Sequence, residues 1–150
     1  MELNKVWKKV KRSSIPEGRH CVKHKWVHEW KRMGTARSRL VACGYSQVPG
    51  IDFTEAFSLV CNDVTFQIVL ILLIVWGLNS LIFDVITAFL TGNLEEEIYM
   101  ECPEGMPHDP DEVLSLQRTI CGLVQANRQH NKRFADALVN KLGFKQCRSD

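Results

Sequence analysis

Eleven consecutive positions, Ile68–Leu78, carry no polar side chain, and Asp63 stands five residues ahead of them. An acidic residue before an apolar run of this length predicts a helix from about Val64 to Gly77, capped by Asp63. A bilayer needs about 20 such residues, and extension toward Phe83 brings in Gln67, Asn79 and Ser80. A buried core helix is therefore expected rather than a membrane span. That helix needs other elements around it, which the remainder of the chain must supply.

Those elements read as short strands joined by turns. His20, Val22, His24, Trp26 and His28 alternate with Lys23, Lys25, Val27 and Glu29, which predicts a strand over 20–31. Met33-Gly34-Thr35 is a turn, and Arg39 to Tyr45 a returning strand that closes a hairpin. Pro49-Gly50 marks a loop. Leu81 to Val85 reads as a buried strand that carries Asp84. Gly92-Asn93 is a turn, Ile98-Tyr99-Met100 a short strand, Pro103 to Pro110 a loop, and Val113 to Leu116 another strand. Phe134, Leu138 and Leu142 are spaced for a helix over 125–142 that ends at Gly143. At the other end, Leu3, Val6, Trp7 and Val10 predict a short basic helix over 2–12, broken at Ile15-Pro16-Glu17-Gly18. The fold class expected from these elements is α+β, with antiparallel hairpins packed with helices. The 150 residues suit one domain, and 45% apolar with 24% charged residues excludes a disordered chain.

Net charge is only +2, but it is unevenly placed. Residues 1–39 hold twelve Lys/Arg, residues 40–117 none, and residues 118–150 seven. The pattern suits basic flanks that meet a polyanion and an acidic middle that holds cations, but on charge alone the preferred reading is that the charges solvate two faces. None of the six cysteines lies within four residues of another, so no CxxC site is present. His20, His24 and His28 with Cys21 could be a zinc site, but structural zinc wants four converging ligands, which disfavours it. The N-terminus carries a basic stretch without an apolar core, so a secretory signal is not expected, and the setting is read as intracellular with reduced thiols.

Asp84 carries the most chemistry. A carboxylate at the end of an apolar strand is costly to bury as a charge, so it needs a metal, a partner or an exit to solvent. As a hard oxygen ligand it suits Mg²⁺, and a strand-end Asp facing water is the plainer alternative.

The segment around it, Phe83-Asp84-Val85-Ile86-Thr87-Ala88-Phe89-Leu90-Thr91-Gly92, resembles the Asp-Val-Lys-Thr-Ala-Phe-Leu-Asn-Gly segment of copia-type retrotransposon reverse transcriptases. Other landmarks follow in the family's order: Lys25-Trp26-Val27, then Arg37 through Gln47, then Gly50-Ile51-Asp52-Phe53 with Glu55 and Phe57. Tyr99-Met100 with Pro103, Glu104 and Gly105 comes next, followed by Gly122-Leu123-Val124-Gln125-Ala126 with Arg128, and finally Gly143-Phe144. Each fragment is weak alone, and the shared order makes the set specific.

The resemblance implies the fingers and partial palm of a right-hand polymerase, with residues 1–18 a basic lead-in and 19–150 the partial reverse transcriptase domain. It implies RNA-directed DNA polymerisation with Mg²⁺, a template-primer of RNA or DNA, and deoxynucleoside triphosphates. Asp84 would be the first metal-binding and catalytic carboxylate, with the Val85 carbonyl assisting. Phe89 would lie under the sugar and reject a ribose 2′-hydroxyl, though plain core is its simpler reading. Arg37 and Arg39 would meet the triphosphate, and Gln125 the nucleotide pocket; hairpin surface and a helix N-terminus are their plainer readings. Partners would be the rest of a Pol polyprotein (connection, RNase H, integrase) and no membrane, in a cytoplasmic particle or the nucleus.

The sequence departs from the family at several places. Ile86 and Val124 stand where Lys is usual, Cys121 for Tyr, Asn127 for Pro and His130 for Trp. No Asp-Asp pair is present, so the family's Tyr-x-Asp-Asp hairpin is missing from these residues. This chain alone is therefore expected to be inactive and poorly soluble. A non-catalytic nucleic-acid-binding remnant of a decayed element is the second reading, and a membrane-associated protein using Ile68–Leu78 the third.

Overall fold

The computed structural model describes residues 5–32, 34–58 and 60–146. Its centre is a four-stranded sheet in the order β1-β6-β5-β2, built from β1 (Trp7–Lys11), β2 (Cys21–Val22), β5 (Asn93–Glu101) and β6 (Glu112–Arg118). β6 runs antiparallel to both β1 and β5, while β2 lies parallel to β5. Strands β3 (His24–Trp30) and β4 (Ala36–Ala42) form a separate antiparallel hairpin. The fold is thus mixed α+β, as the sequence indicates, with two α-helices, α1 (Asp63–Val75) and α2 (Ala126–Asp136), among the described residues.

The core lies against one face of the four-stranded sheet. Val22, Ile98, Met100 and Leu114 are fully buried, and Ile120, Leu123 and Ala126 close over them from the loop and first turn of α2. In the central strands burial does not alternate: Ile98, Tyr99 and Met100 are all buried, as are Val113 and Leu114. β4 is tied to the same core. Ala42 N–H donates to the Cys121 carbonyl at 2.8 Å, and Leu40 is 1% exposed. Gly122 makes that approach possible. It sits at φ +91°, and a Cβ there would fall 2.1 Å from the Ala42 carbonyl oxygen.

Several expectations need correction. The basic segment expected to be helical is strand β1, with residues 2–4 outside the described residues. Its Val6 carbonyl accepts from Gln117 and Arg118 N–H, and Lys9 pairs with Glu112 at 3.3 Å. The open edge of β6 offers a full ladder to a segment with β-branched Val6 and Val10, and that tertiary gain outweighs helical spacing.

Helix α1 forms where expected, but its cap is Asn62, whose Oδ1 accepts from Val64 N–H at 2.8 Å; Asp63 is the first helical residue. Gly77 at φ +61° ends it, with Leu78 N–H donating back to the Leu73 carbonyl. The expected burial does not occur. No α1 residue is buried, and Ile74 is 77% exposed. A helix that is apolar on every side needs cover on every side. Among the described residues no other element covers α1.

The buried strand expected over Leu81 to Val85 is likewise absent: these residues form no strand, and Ile82 is 95% exposed. A strand exists only if a neighbour takes up its backbone groups, and this segment pairs with neither edge of the sheet. Among the described residues no helix is long and apolar enough to cross a membrane.

The Pro103 to Pro110 loop and strands β5 and β6 stand where the sequence places them. Both strands are longer than expected, so that Asn93 of the expected turn opens β5. The hairpin forms with shifted bounds. The strand expected over 20–31 splits into β2, which joins the four-stranded sheet, and β3. The returning strand is Ala36–Ala42 rather than Arg39 to Tyr45, with Gly44–Ser46 a 3₁₀ turn. In the turn between β3 and β4, Gly34 takes φ +75°, and Met33 lies outside the described residues. At the other end, α2 continues into a π-helical turn, Ala137–Lys141. Gly143 at φ +73° then closes it, with Phe144 N–H donating to the Leu138 carbonyl.

Candidate active site

Asp84 lies in the extended, exposed stretch between α1 and a 3₁₀ turn at Ala88–Thr91. Its carboxylate has no hydrogen bond or ion pair among the described residues, and Val85 beside it is 36% exposed. Thr87, three residues on, holds φ +56°, a left-handed conformation that costs a β-branched residue energy. It is followed at once by the 3₁₀ turn, whose first bond runs from Leu90 N–H to the Thr87 carbonyl at 2.8 Å. Leu90 is buried and Phe89 half-buried.

Aromatic rings tie this segment to α2. Phe83 meets Phe134 at a centroid distance of 6.3 Å, Phe134 stacks with His130 at 6.1 Å, and His130 meets the Phe89 ring edge-on at 6.2 Å. Such pairs contribute roughly 0.5–1.5 kcal/mol beyond area burial. One row of four rings along α2 therefore flanks Asp84, with Phe83 before it and Phe89 after it. His130 Nδ1 is buried in that row without a hydrogen-bond partner.

Gln125, at the N-cap position of α2, is 1% exposed and belongs to a buried polar network rather than an open pocket. Its Nε2 donates to the Asp52 carbonyl at 2.9 Å, and its Oε1 accepts from Gln47 Nε2 at 3.1 Å. Gln47 Oε1 in turn accepts from Val124 N–H at 2.8 Å. Asp52, also 1% exposed, folds its Oδ2 back onto Val48 N–H at 2.7 Å, and His20 Nε2 stands 3.3 Å away. One turn along α2, Arg128 pairs with Glu55. Lys132 pairs with Glu95 of β5 at 2.8 Å, and that hydrogen bond holds the Glu95 carboxyl below its ordinary range.

Residues Gln47, Asp52, Glu55, Gln125 and Arg128 come from three separate sequence landmarks, and this network is what joins them. Sequence reading quotes all five and gives Gln47, Asp52 and Glu55 no task. The one local signal is at Asp52, a carboxylate between Ile51 and Phe53, whereas Arg128 stands in the all-polar run Asn127 to Arg133.

Arg37 and Arg39 stand on β4, away from the ring row. They share a face of the hairpin with Lys25, Val27 and Glu29, because antiparallel partners such as Val27 and Arg39 project to the same side. Arg39 Nη1 pairs with Glu29 Oε2 at 3.2 Å, and Arg37 makes no ion pair among the described residues. Phe89 thus meets α2 through His130 and Gln125 stands at its N-cap, Asp84 and Val85 lie in the exposed segment just before Phe89, and Arg37 and Arg39 stand on the hairpin.

His20, His24 and His28 do not converge. His20 reaches Ser46 and Asp52, while His28 Nδ1 bonds Ser38 Oγ at 2.8 Å. Among the described residues no three His, Cys, Asp or Glu side chains are grouped to hold a metal ion. Cys147 lies outside the described residues.

Comparison with known proteins covers almost the entire chain. The family model described as reverse transcriptase (RNA-dependent DNA polymerase) matches residues 4–150. The Retrovirus-related Pol polyprotein from transposon TNT 1-94 of Nicotiana tabacum is 36% identical over 157 aligned residues, covering 100% of this chain and 12% of that polyprotein. The corresponding polyproteins from transposons RE2 and RE1 of Arabidopsis thaliana are 43% and 36% identical over 118 residues, each covering 76% of this chain and 8% of the polyprotein. The chain therefore spans 12% or less of the length of these curated relatives. No solved structure matches it.

Proposed function

This chain belongs to the reverse transcriptase family of copia-type retrotransposon Pol polyproteins, and on that premise we propose that it supplies the fingers and the first part of the palm of an RNA-directed DNA polymerase. Residues 19–150 form the partial domain. Residues 1–18 are a basic lead-in, anchored by β1.

The observation that carries this reading is the placement of Asp84: exposed, unpaired among the described residues, and flanked by Phe83 and Phe89, whose rings both rest on the α2 ring row. An unpaired, solvent-accessible carboxylate is ready to meet a cation, and its hard oxygens fit Mg²⁺. Asp84 would hold the ion, with the Val85 carbonyl beside it. When bound, the metal supplies charge neutralisation for the transferring phosphoryl group.

The chain's own residues position what reacts. Phe89 presents its ring beneath the sugar of the incoming nucleotide and leaves no room for a 2′-hydroxyl. Arg37, unpaired among the described residues, and Arg39 meet the triphosphate from the hairpin. Gln125 acts from within its buried network, holding the loop at Asp52 and the start of α2 so that the nucleotide pocket keeps its shape. The complete polymerase takes a template-primer and deoxynucleoside triphosphates and works beside the connection, RNase H and integrase parts of a Pol polyprotein.

The test replaces the matching stretch of the TNT 1-94 polyprotein with these 150 residues and measures primer extension on an RNA template with Mg²⁺. The chimera is expected to extend the primer. Asp84→Asn should lower the rate by more than about a hundredfold, because a metal's share of transition-state stabilisation is several kcal/mol. An Asp84→Asn chimera as fast as its parent overturns the assignment. The 150-residue chain by itself should extend no primer, since Asp84 has no second carboxylate grouped with it among the described residues.

A further inference from the structure

On the hairpin face opposite Arg37 and Arg39, three aromatic side chains follow one another along β3: Trp26, His28 and Trp30. Trp26 and His28 are stacked, with centroids 6.2 Å apart and planes 14° from parallel. Both rings are held in place: Trp26 Nε1 donates to the Glu104 carbonyl at 3.3 Å, and His28 Nδ1 is bonded to Ser38 Oγ at 2.8 Å. Trp30 is 78% exposed and Trp26 41%. Their cross-strand partners shrink toward the tip, from buried Leu40 through Ser38 to Ala36, so the outer rings stand clear of the surface. The exposed ring faces offer a stacking surface to a planar partner.

Two further observations say what that is. Residues 24–39 hold five Lys/Arg and one acidic residue, which favours a polyanion. Alternate residues of a strand repeat at about 6.8 Å, twice the ~3.4 Å rise of stacked bases, so rings at positions 26, 28 and 30 match every second base of a stacked strand. Duplex DNA or RNA hides its base faces, whereas an unpaired strand exposes them.

We propose that Trp26, His28 and Trp30 form a stacking platform for an unpaired nucleic-acid strand, whose phosphates are held by the hairpin's lysines and arginines. The inference rests on the polymerase reading and deepens it: the ligand is the single-stranded template, distinct from the primer duplex. Stacking is indifferent to base identity, so the platform reads strandedness and not sequence.

The experiment measures binding of the 150-residue chain to a labelled oligouridine of about 12 nucleotides and to an RNA–DNA hybrid of equal length, in about 50 mM salt. Trp30→Ala should weaken oligouridine binding about tenfold and leave the hybrid within about twofold, and Trp30→Phe should restore it. Trp30 is exposed, so its loss leaves the core intact. Lys31→Gln should weaken both ligands alike and lower the salt slope by about one.

If Trp30→Ala binds oligouridine as well as the parent while the hybrid still binds, the platform is wrong and the polymerase reading stands. If the parent chain binds neither, both fall. If light scattering finds a dimer that Trp30→Ala dissolves with oligouridine affinity unchanged, the face is a protein contact and the proposal is overturned.

Discussion

The segment 63–86 is richer in apolar residues than strands β5 and β6, yet only the strands contribute to the buried core. Ile98, Met100, Val113 and Leu114 have no exposed surface at all, whereas Val64, Ile74 and Ile82 lie largely in solvent. The difference is the neighbour. β6 has a strand on each side and α2's first turn above it. The 63–86 segment has a well-capped helix and five apolar residues around Asp84 but, apart from the contact of Phe83 with Phe134, no layer to lie against. Apolarity supplies the driving force, and only topology decides whether it is used. A contiguous exposed apolar surface on this scale marks a contact for another element or chain.

The comparison breaks most readily at its buried side. Leu114→Ala should destabilise the chain by about 3 kcal/mol, as large-to-small core changes do. The same type of change at Ile74 on α1 should move stability by less than about 0.5 kcal/mol. Urea unfolding followed by circular dichroism checks both, and equal effects would mean α1 is covered after all.

Next in size is the polar network. Gln125→Ala leaves Gln47 Nε2 and the Asp52 carbonyl without their buried partner and should cost about 2 kcal/mol in the same assay. A loss that small on the surface scale, below about 0.5 kcal/mol, would mean water replaces the amide.

The smallest effect has the opposite sign. His130 carries a buried, unpartnered Nδ1 within the ring row, so His130→Phe keeps the stacking, removes the orphan and should stabilise by about 1 kcal/mol. A thermal melt that falls instead would show that Nδ1 has a partner.

The same contrast explains what the sequence makes legible. Alternation announced β3, and short apolar runs between turn residues announced β5 and β6, whose consecutive buried residues Ile98 to Met100 and Val113-Leu114 are covered on both faces. Capping residues announced α1, with the cap one position earlier at Asn62, since either Asx side chain can serve. Local pattern could not tell that Val6 and Val10 would meet the edge of β6 rather than form a helix, nor that α1 and Leu81 to Val85 would lack a partner. Those outcomes depend on residues far away in sequence. For the site, family resemblance singled out Asp84, Phe89 and Gln125. The network of Gln47, Asp52 and Gln125 was not legible, because hydrogen bonds between residues more than 70 positions apart leave no spacing to read.

Amide hydrogen exchange read by mass spectrometry tests the contrast between the two regions most directly. Peptides from β5 and β6 should stay protected up to the global unfolding free energy, while those from 78–86 exchange within seconds and those from α1 well before the sheet. Protection of 63–86 equal to that of β5 and β6 would contradict the account, because it would require a covering layer that the fold does not provide.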